Sequence, residues 1–289
     1  MSVFALKVLA MLSMVCDHLG WWLLCEGWIG PGMSNVMRGF GRLAFPIFAF
    51  LIVNGYEHTK NRAGYLTRLT GFALLSQLPY VMVFSAENYS AAAGALSLEL
   101  PGAAYMLLCL GLAFLWYRFV RADASALLAA LAPLAGLTSL RLGGLYLLRP
   151  DMNVFYTLAL SLGAMCALDM LTDKNMRGAK AYAAAAAVLA ALLLIWDRAD
   201  YGLNGILLIL ILWYFRQNRA QQLFMLAVWA AAHYIPGGNF VFFICAAAAA
   251  FPLYLYNGRL GKPLKTVFYL VYPLHLSAMA LVILWQTHI

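Results

Sequence analysis

A chain of 289 residues, 65% of them hydrophobic and only 10% charged, with a mean hydropathy of +0.82, is not an ordinary soluble domain. Its formal charge of +8 would suit nucleic acid only if the cations shared a solvated face, but they lie in short loops between apolar runs, as membrane topology requires. Five scattered cysteines, with no C-x-x-C pair and no metal-type spacing against the histidines, suggest neither a disulfide framework nor a zinc site.

Apolar runs of about 17–25 residues, each long enough to cross a bilayer, follow one another along the chain. In order, the predicted spans are 3–24, 36–56, 66–84, 103–119, 124–148, 153–171, 180–196, 201–215, 222–235, 240–256 and 266–285. The first could pass for a signal peptide, with Lys7 ahead of an apolar stretch. Asp17-His18 interrupts it, however, and no A-x-A site follows, so it reads as a retained helix. The ninth and tenth spans are short and meet at Pro236-Gly237-Gly238-Asn239, either as a re-entrant hairpin or as two tilted crossings. The expected fold is an all-α integral membrane protein. It forms one domain over residues 1–289, a polytopic bundle of about 10–11 transmembrane helices.

Cations follow the even-numbered spans. Lys60, Arg62 and Arg68 come after the second, and Arg118 and Arg121 after the fourth. Lys174, Arg177 and Lys180 follow the sixth, Arg216 and Arg219 the eighth, and Arg259, Lys262 and Lys265 the tenth. Loops of the other parity are poorer in cations and hold Glu26, Glu87, Glu99, Asp151, Asp197 and Asp200. The positive-inside rule then places the N-terminus in the cytoplasm, in what reads as a multi-pass protein of a bacterial cytoplasmic membrane. On that topology Asp17-His18, Arg42, Asn153, Asp200, Tyr201 and Asn204 gather toward the outer leaflet, and His275 lies near the midplane.

Ionisable groups in hydrocarbon are costly and face a bundle interior or a water-filled cavity, so these residues mark a polar site. Lys7, Met11, Met14 and His18 are spaced 4, 3 and 4 and share one helix face. His18 can act as a general base or a transient acyl carrier, because neutral imidazole is nucleophilic and titrates near neutrality. It can equally be a buried histidine held for stability. Asp17 lies about 100° around the helix and would order a neighbour or an arginine from another helix. In Gly41-Arg42-Leu43-Ala44-Phe45-Pro46, Pro46 cannot donate to the Arg42 carbonyl. The guanidinium either snorkels to the interface or clamps an anionic group, Asp17 being one internal candidate.

In Tyr272-Pro273-Leu274-His275-Leu276, Pro273 loosens the backbone beside His275, which suits structural pairing or proton transfer equally. Asp200, ahead of Tyr201, Gly202 and Asn204, can cap a helix or line a pocket, and Asn153 has the same two readings. Lys60, Arg62, Tyr65 and Arg68 are explained by positive-inside anchoring, or else bind a cytosolic phosphorylated cofactor. No G-x-G-x-x-G, Walker, G-x-S-x-G or H-E-x-x-H motif is present.

In these stretches the chain resembles the TraX family. The matching residues run nearly end to end, from Leu6-Lys7 through Asp17-His18 to Gly41-Arg42-Leu43-Ala44-Phe45-Pro46-Ile47-Phe48 and Gly55. They continue with Tyr65, Arg68-Leu69, Ser76 and Pro79, then Asn153-Val154-Phe155-Tyr156-Thr157-Leu158. Asp200-Tyr201-Gly202 with Gly205, and Tyr272-Pro273-Leu274-His275-Leu276, complete the set. The family's named member acetylates the N-terminus of F-type conjugative pilin. The family is similar to wider groups of transmembrane acyltransferases, among them acyltransferase type 3 proteins and lysosomal heparan glucosaminide acetyltransferase. Those use a helix-borne histidine and cytosolic acyl-CoA to modify an acceptor beyond the membrane.

The resemblance implies a membrane-bound N-acetyltransferase-like enzyme that takes acetyl-CoA as donor, needs no metal and modifies an extracytoplasmic peptide or glycan. Nothing points to nucleic acid. The site expected on this reading has His18, Asp17, Arg42 and His275 in catalysis. Lys60, Arg62, Tyr65 and Arg68 hold the donor, and Asn153, Asp200, Tyr201, Asn204 and Tyr272 line the pocket. Residues 25–35 and 87–101 contribute nothing to this resemblance and are where a different acceptor would be read. Two other functions stay in view. A proton-coupled transporter would relay protons through His275 and Asp17, although the two halves show no matched repeat. A non-catalytic assembly factor for a surface structure would use the same polar residues only to hold helices together.

Overall fold

The computed structural model describes residues 1–85, 151–172, 198–263 and 265–286, together with the backbone of 96–98, 140–142 and 145–148. The predicted spans 103–119 and 180–196, and the first part of 124–148, lie outside the described residues. The fold is helical. Among the described residues, four apolar stretches are long enough to cross a membrane: Val3–Cys25, Pro31–His58, Val154–Thr172 and Val267–Gln286.

Helix α1 spans Val3–Cys25 and starts where the Ser2 hydroxyl accepts from the Ala5 amide at 3.2 Å. The predicted second span is two helices, α2 (Pro31–Gly41) and α3 (Ala44–His58). They separate at Arg42-Leu43, where Pro46 cannot supply the amide that the Arg42 carbonyl would receive in a continuous helix. Helix α4 (Arg62–Phe84) is capped by Asn61, whose side chain accepts from the Gly64 amide at 2.7 Å. Helices α5 (Val154–Thr172), α6 (Gly202–Tyr214) and α7 (Arg219–Tyr234) match the predicted sixth, eighth and ninth spans closely. The predicted tenth span divides at Ala249 into α8 (Phe240–Ala248) and α9 (Ala250–Tyr254), and α10 (Lys265–Gln286) carries Pro273 in its interior.

Three short strands depart locally from the all-helical expectation. Strands β1 (Leu96–Leu98), β2 (Leu140–Leu142) and β3 (Leu145–Leu148) form an antiparallel sheet in the order β1-β2-β3, with Leu96 opposite Leu142 and Leu142 opposite Leu145. Strands β2 and β3 replace the end of the helix predicted over 124–148. The sequence between them is Gly143-Gly144, the pair that a two-residue hairpin connection favours and a helix interior does not.

The chain falls into two compact units, Met1–His58 with Asn204–Tyr272, and Thr59–Leu203 with Pro273–Ile289. In the first, α1 packs on α2 and α3, and α8 packs on α2 and α7. Small residues set the α1–α2 approach. The Ser34 hydroxyl donates to the Gly20 carbonyl at 2.8 Å, the Ser13 hydroxyl donates to the Phe40 carbonyl at 2.6 Å, and a Cβ at Gly20 would sit 2.8 Å from Met37 Cβ. The start of α1 is fastened to a distant loop, with Val3 and Phe4 amides donating to the Arg259 and Leu260 carbonyls. In the second unit, α4 packs on α5 and β3.

Candidate functional site

In the first unit, α1 presents Asp17 to α2. The Arg42 guanidinium donates through Nη2 to both Asp17 carboxylate oxygens at 2.5 Å, and its Nε donates to the Arg38 carbonyl at 3.1 Å. The Asp17 and Arg42 side chains are 17% and 13% exposed, so this is an internal ion pair and not a snorkelling arginine. Gly41 makes the approach possible. A Cβ there would fall 2.7 Å from Asp17 Cγ and 2.9 Å from its Cα. The α2–α3 break therefore places Arg42 at a helix end, directly beside a glycine that admits the carboxylate.

Sequence reasoning missed Arg38. Its Nε lies 3.8 Å from Asp17 Oδ1, so one carboxylate serves two guanidinium groups. The spacing of Arg38 and Arg42 by one helical turn was the available signal. Aromatic rings complete the cluster: Arg38 lies over Trp21 at 5.2 Å and Arg42 over Phe242 of α8 at 5.2 Å.

His18 turns away from this pair, as its position on the helix requires. It is buried, and its ring meets the buried Tyr272 edge-on at 5.8 Å between centroids. Met14, one turn back on the same face, is also buried, and Lys7 lies over the Phe268 ring of α10 at 5.0 Å. The structure thus brings together Asp17, His18, Arg42 and Tyr272 of the expected site. His275 lies one turn beyond Tyr272 on α10, is half-buried, and falls in the second unit. Asn204 is exposed in the first unit, where its backbone carbonyl accepts from Trp229 Nε1 at 2.8 Å.

The second unit holds the remaining expected residues. Asn153 is fully buried. Its Nδ2 donates to the Ala73 carbonyl at 2.8 Å and to Gln77 Oε1 at 2.9 Å, while its Oδ1 caps α5 by accepting from the Phe155 amide at 3.1 Å. Asp200 and Tyr201 line an open cleft together with Tyr80, Ser85, Asp151 and Arg198. Tyr201 sits at φ +62°, in the left-handed region that a bulky residue enters only at a cost.

Of the expected donor residues, Lys60 and Arg68 are exposed, and Arg68 lies over the buried Tyr65 ring at 5.7 Å. Arg62 donates to Asp169 on α5 at 3.1 Å, which ties that guanidinium to its own unit. Among the described residues no group of three His, Cys, Asp or Glu side chains could hold a metal ion.

Residues 2–100 and 146–283 match the TraX protein family, well over half of the chain. The chain belongs to the TraX family. The matched ranges include all the expected site residues, from Asp17 to His275. This TraX-family chain is also similar to the "Probable fimbrial assembly protein FimC, serogroup H1" of Dichelobacter nodosus. The identity is 32% over 91 residues, covering 32% of this chain and 36% of that protein. The similarity therefore spans about a third of the relative's length. No solved structure matches the chain.

Proposed function

We propose that the chain is an integral membrane acyltransferase that moves an acetyl group from cytosolic acetyl-CoA to an amine or hydroxyl on the outer side of the membrane. The observation that carries this reading is the buried His18 on an apolar helix, beside an internal Asp17–Arg42 pair, in a TraX-family chain. In transfer to an amine, the nitrogen attacks the thioester carbonyl, the C–N bond forms, and the C–S bond breaks. His18 takes the proton from the nitrogen and delivers it to the departing thiolate. Asp17 holds Arg42 in place, and the net positive charge of the Arg38–Asp17–Arg42 group favours charge developing on the carbonyl oxygen. The edge-on Tyr272 ring fixes the imidazole plane.

The donor carries phosphates, so its nucleotide end stays in water and needs cations. Arg68 and Lys60 are exposed and suited to that contact, whereas Arg62 is already engaged by Asp169. The acceptor is a pilin-like peptide or another surface molecule. The name of the D. nodosus relative speaks for a fimbrial context and also favours a second reading, a non-catalytic assembly factor.

One experiment separates the two. Purified protein is reconstituted in liposomes with labelled acetyl-CoA inside and a free-amine pilin peptide outside. The enzyme reading expects label on the outside peptide. Label that stays in coenzyme A while the protein still supports surface assembly in cells leaves only the assembly reading.

A further inference from the structure

The first unit contains a cation that the catalytic scheme leaves unused. Arg219 opens α7 and is half-buried. Its guanidinium lies over the Phe50 ring at 4.6 Å and over the Tyr256 ring at 5.2 Å, and the two rings meet edge-on at 5.4 Å. The Tyr256 hydroxyl donates to Asn54 Oδ1 at 3.3 Å, which fixes the second ring. Nη1 of Arg219 donates to the Leu253 carbonyl of α9 at 3.2 Å. Among the described residues its Nε and Nη2 have no acceptor, and Arg219 makes no ion pair. Glu57 acts on it electrostatically, but that carboxylate is held by Arg216 at 3.4 Å. Burial pushes Arg219 below the ordinary arginine value, against the opposing pull of Tyr256 and Glu57. A guanidinium held between two rings, with donors still to be met, suits the oxygens of an anion.

The neighbouring surface indicates which anion. Val241, Ile244, Ala248, Phe251 and Leu255 are exposed and recur every three or four residues along α8 and α9. This apolar stripe runs to the segment whose Leu253 carbonyl receives Arg219. Tyr254, exposed in that segment, has the amphipathic ring typical of a membrane interface. Arg216 and Arg219 belong to a cationic loop, which the charge alternation places on the cytoplasmic side. A ligand that uses both features has acyl chains for the stripe and a negative head for the guanidinium. A soluble phosphate makes no use of the stripe, and a zwitterionic lipid brings a cation that Arg219 repels.

We propose that Arg219 binds the phosphate of an anionic phospholipid of the cytoplasmic leaflet, with the acyl chains lying along the exposed stripe of α8 and α9. A headgroup there joins the inner ends of α3, α7 and α9, which supply Phe50, Arg219 and the Leu253 carbonyl. The inference goes beyond the acyltransferase reading and does not depend on it.

Native mass spectrometry of the full-length protein in a neutral detergent tests this without any assay of transfer. Phosphatidylglycerol and phosphatidylcholine with the same acyl chains are added at equal concentration, and the retained lipid is counted. Phosphatidylglycerol should be retained about fivefold more, as expected for one cation at a headgroup. Arg219→Gln should bring it down to the phosphatidylcholine level, whereas Lys262→Gln, at an exposed cation in the loop after α9, should keep the preference. If Arg219→Gln does not fold, Arg219→Lys takes its place: it keeps the charge, loses the planar fork, and should still weaken the preference. Glycerophosphoglycerol, inorganic phosphate and coenzyme A, added in turn, should leave the lipid bound. Equal retention of the two lipids, a preference unchanged in the Arg219 variant, or equal losses at Arg219 and Lys262 overturns the proposal. Displacement by a competitor without acyl chains also overturns it, and assigns Arg219 to a soluble phosphate.

Discussion

The Tyr272 ring meets the His18 ring edge-on, while the neighbouring Asp17 carboxylate, on another face of the helix, holds the guanidinium groups of Arg38 and Arg42. As the general base we propose, His18 would be worth about 10²–10⁴-fold in rate. His18→Ala should therefore lose transfer by that factor while inserting and unfolding normally, as read by liposome assay and by thermal melting in detergent. Near-normal activity in a folded His18→Ala protein would remove His18 from the mechanism and bring His275 forward.

Asp17 answers to a different test. Removing its charge leaves two neighbouring guanidinium groups unbalanced, at a cost of ~3 kcal/mol, the low end for breaking a buried pair, since both partners keep some solvent. Asp17→Asn should lower the unfolding midpoint, and Asp17→Asn/Arg42→Gln should recover part of that loss. Additive losses would mean that the pair is not coupled. The pairing was legible as a possibility in the sequence, because a carboxylate about 100° from His18 must look to another helix. That Arg38 shares the carboxylate was not, since an arginine near an interface reads first as a snorkelling side chain.

At the scale of helices, close approach between α1 and α2 is decided by the glycines and serines between them. A methyl at Gly41 would collide with the Asp17 side chain and backbone, and overpacking of this kind costs about 1–3 kcal/mol. Gly41→Ala should thus reduce both melting temperature and transfer rate, whereas the same change at Gly71, where a Cβ meets nothing, should leave both nearly unchanged. Helix α4 supports a prediction about the donor. Arg68→Gln should raise the apparent KM for acetyl-CoA at least several-fold with acceptor dependence unaltered, because a charge-assisted contact to phosphate contributes about 1.5–3 kcal/mol. An unchanged donor KM in the folded variant returns Arg68 to simple anchoring.

Helix positions were readable from hydropathy because long apolar runs have few alternatives in lipid. Their interruptions were not. The division of the predicted second span at Arg42-Leu43, and the strands at the end of the predicted fifth, arise where a proline or a glycine pair competes with an otherwise apolar run.

For the molecule as a whole, the alternation of cationic loops expects a cytoplasmic N-terminus, with positions 60–63 inside and 151 and 198 outside. Cysteines introduced at those positions should react with an impermeant reagent from the matching side only. Labelling of 60–63 from outside intact cells would reverse the topology and with it the direction of transfer.

Membrane class, approximate helix positions and family were determined by the sequence itself, because hydropathy, loop charge and motif order are properties read along one dimension. Partner choice was not. Which face of α1 meets Arg42, why Gly41 must be bare, and how Asp151 and Asp200 come to share a cleft depend on helix rotation and on backbone bonds between distant loops. Those are settled only when the chain packs, since a carboxylate in an apolar environment takes whichever cation or donor the neighbouring backbone brings within reach.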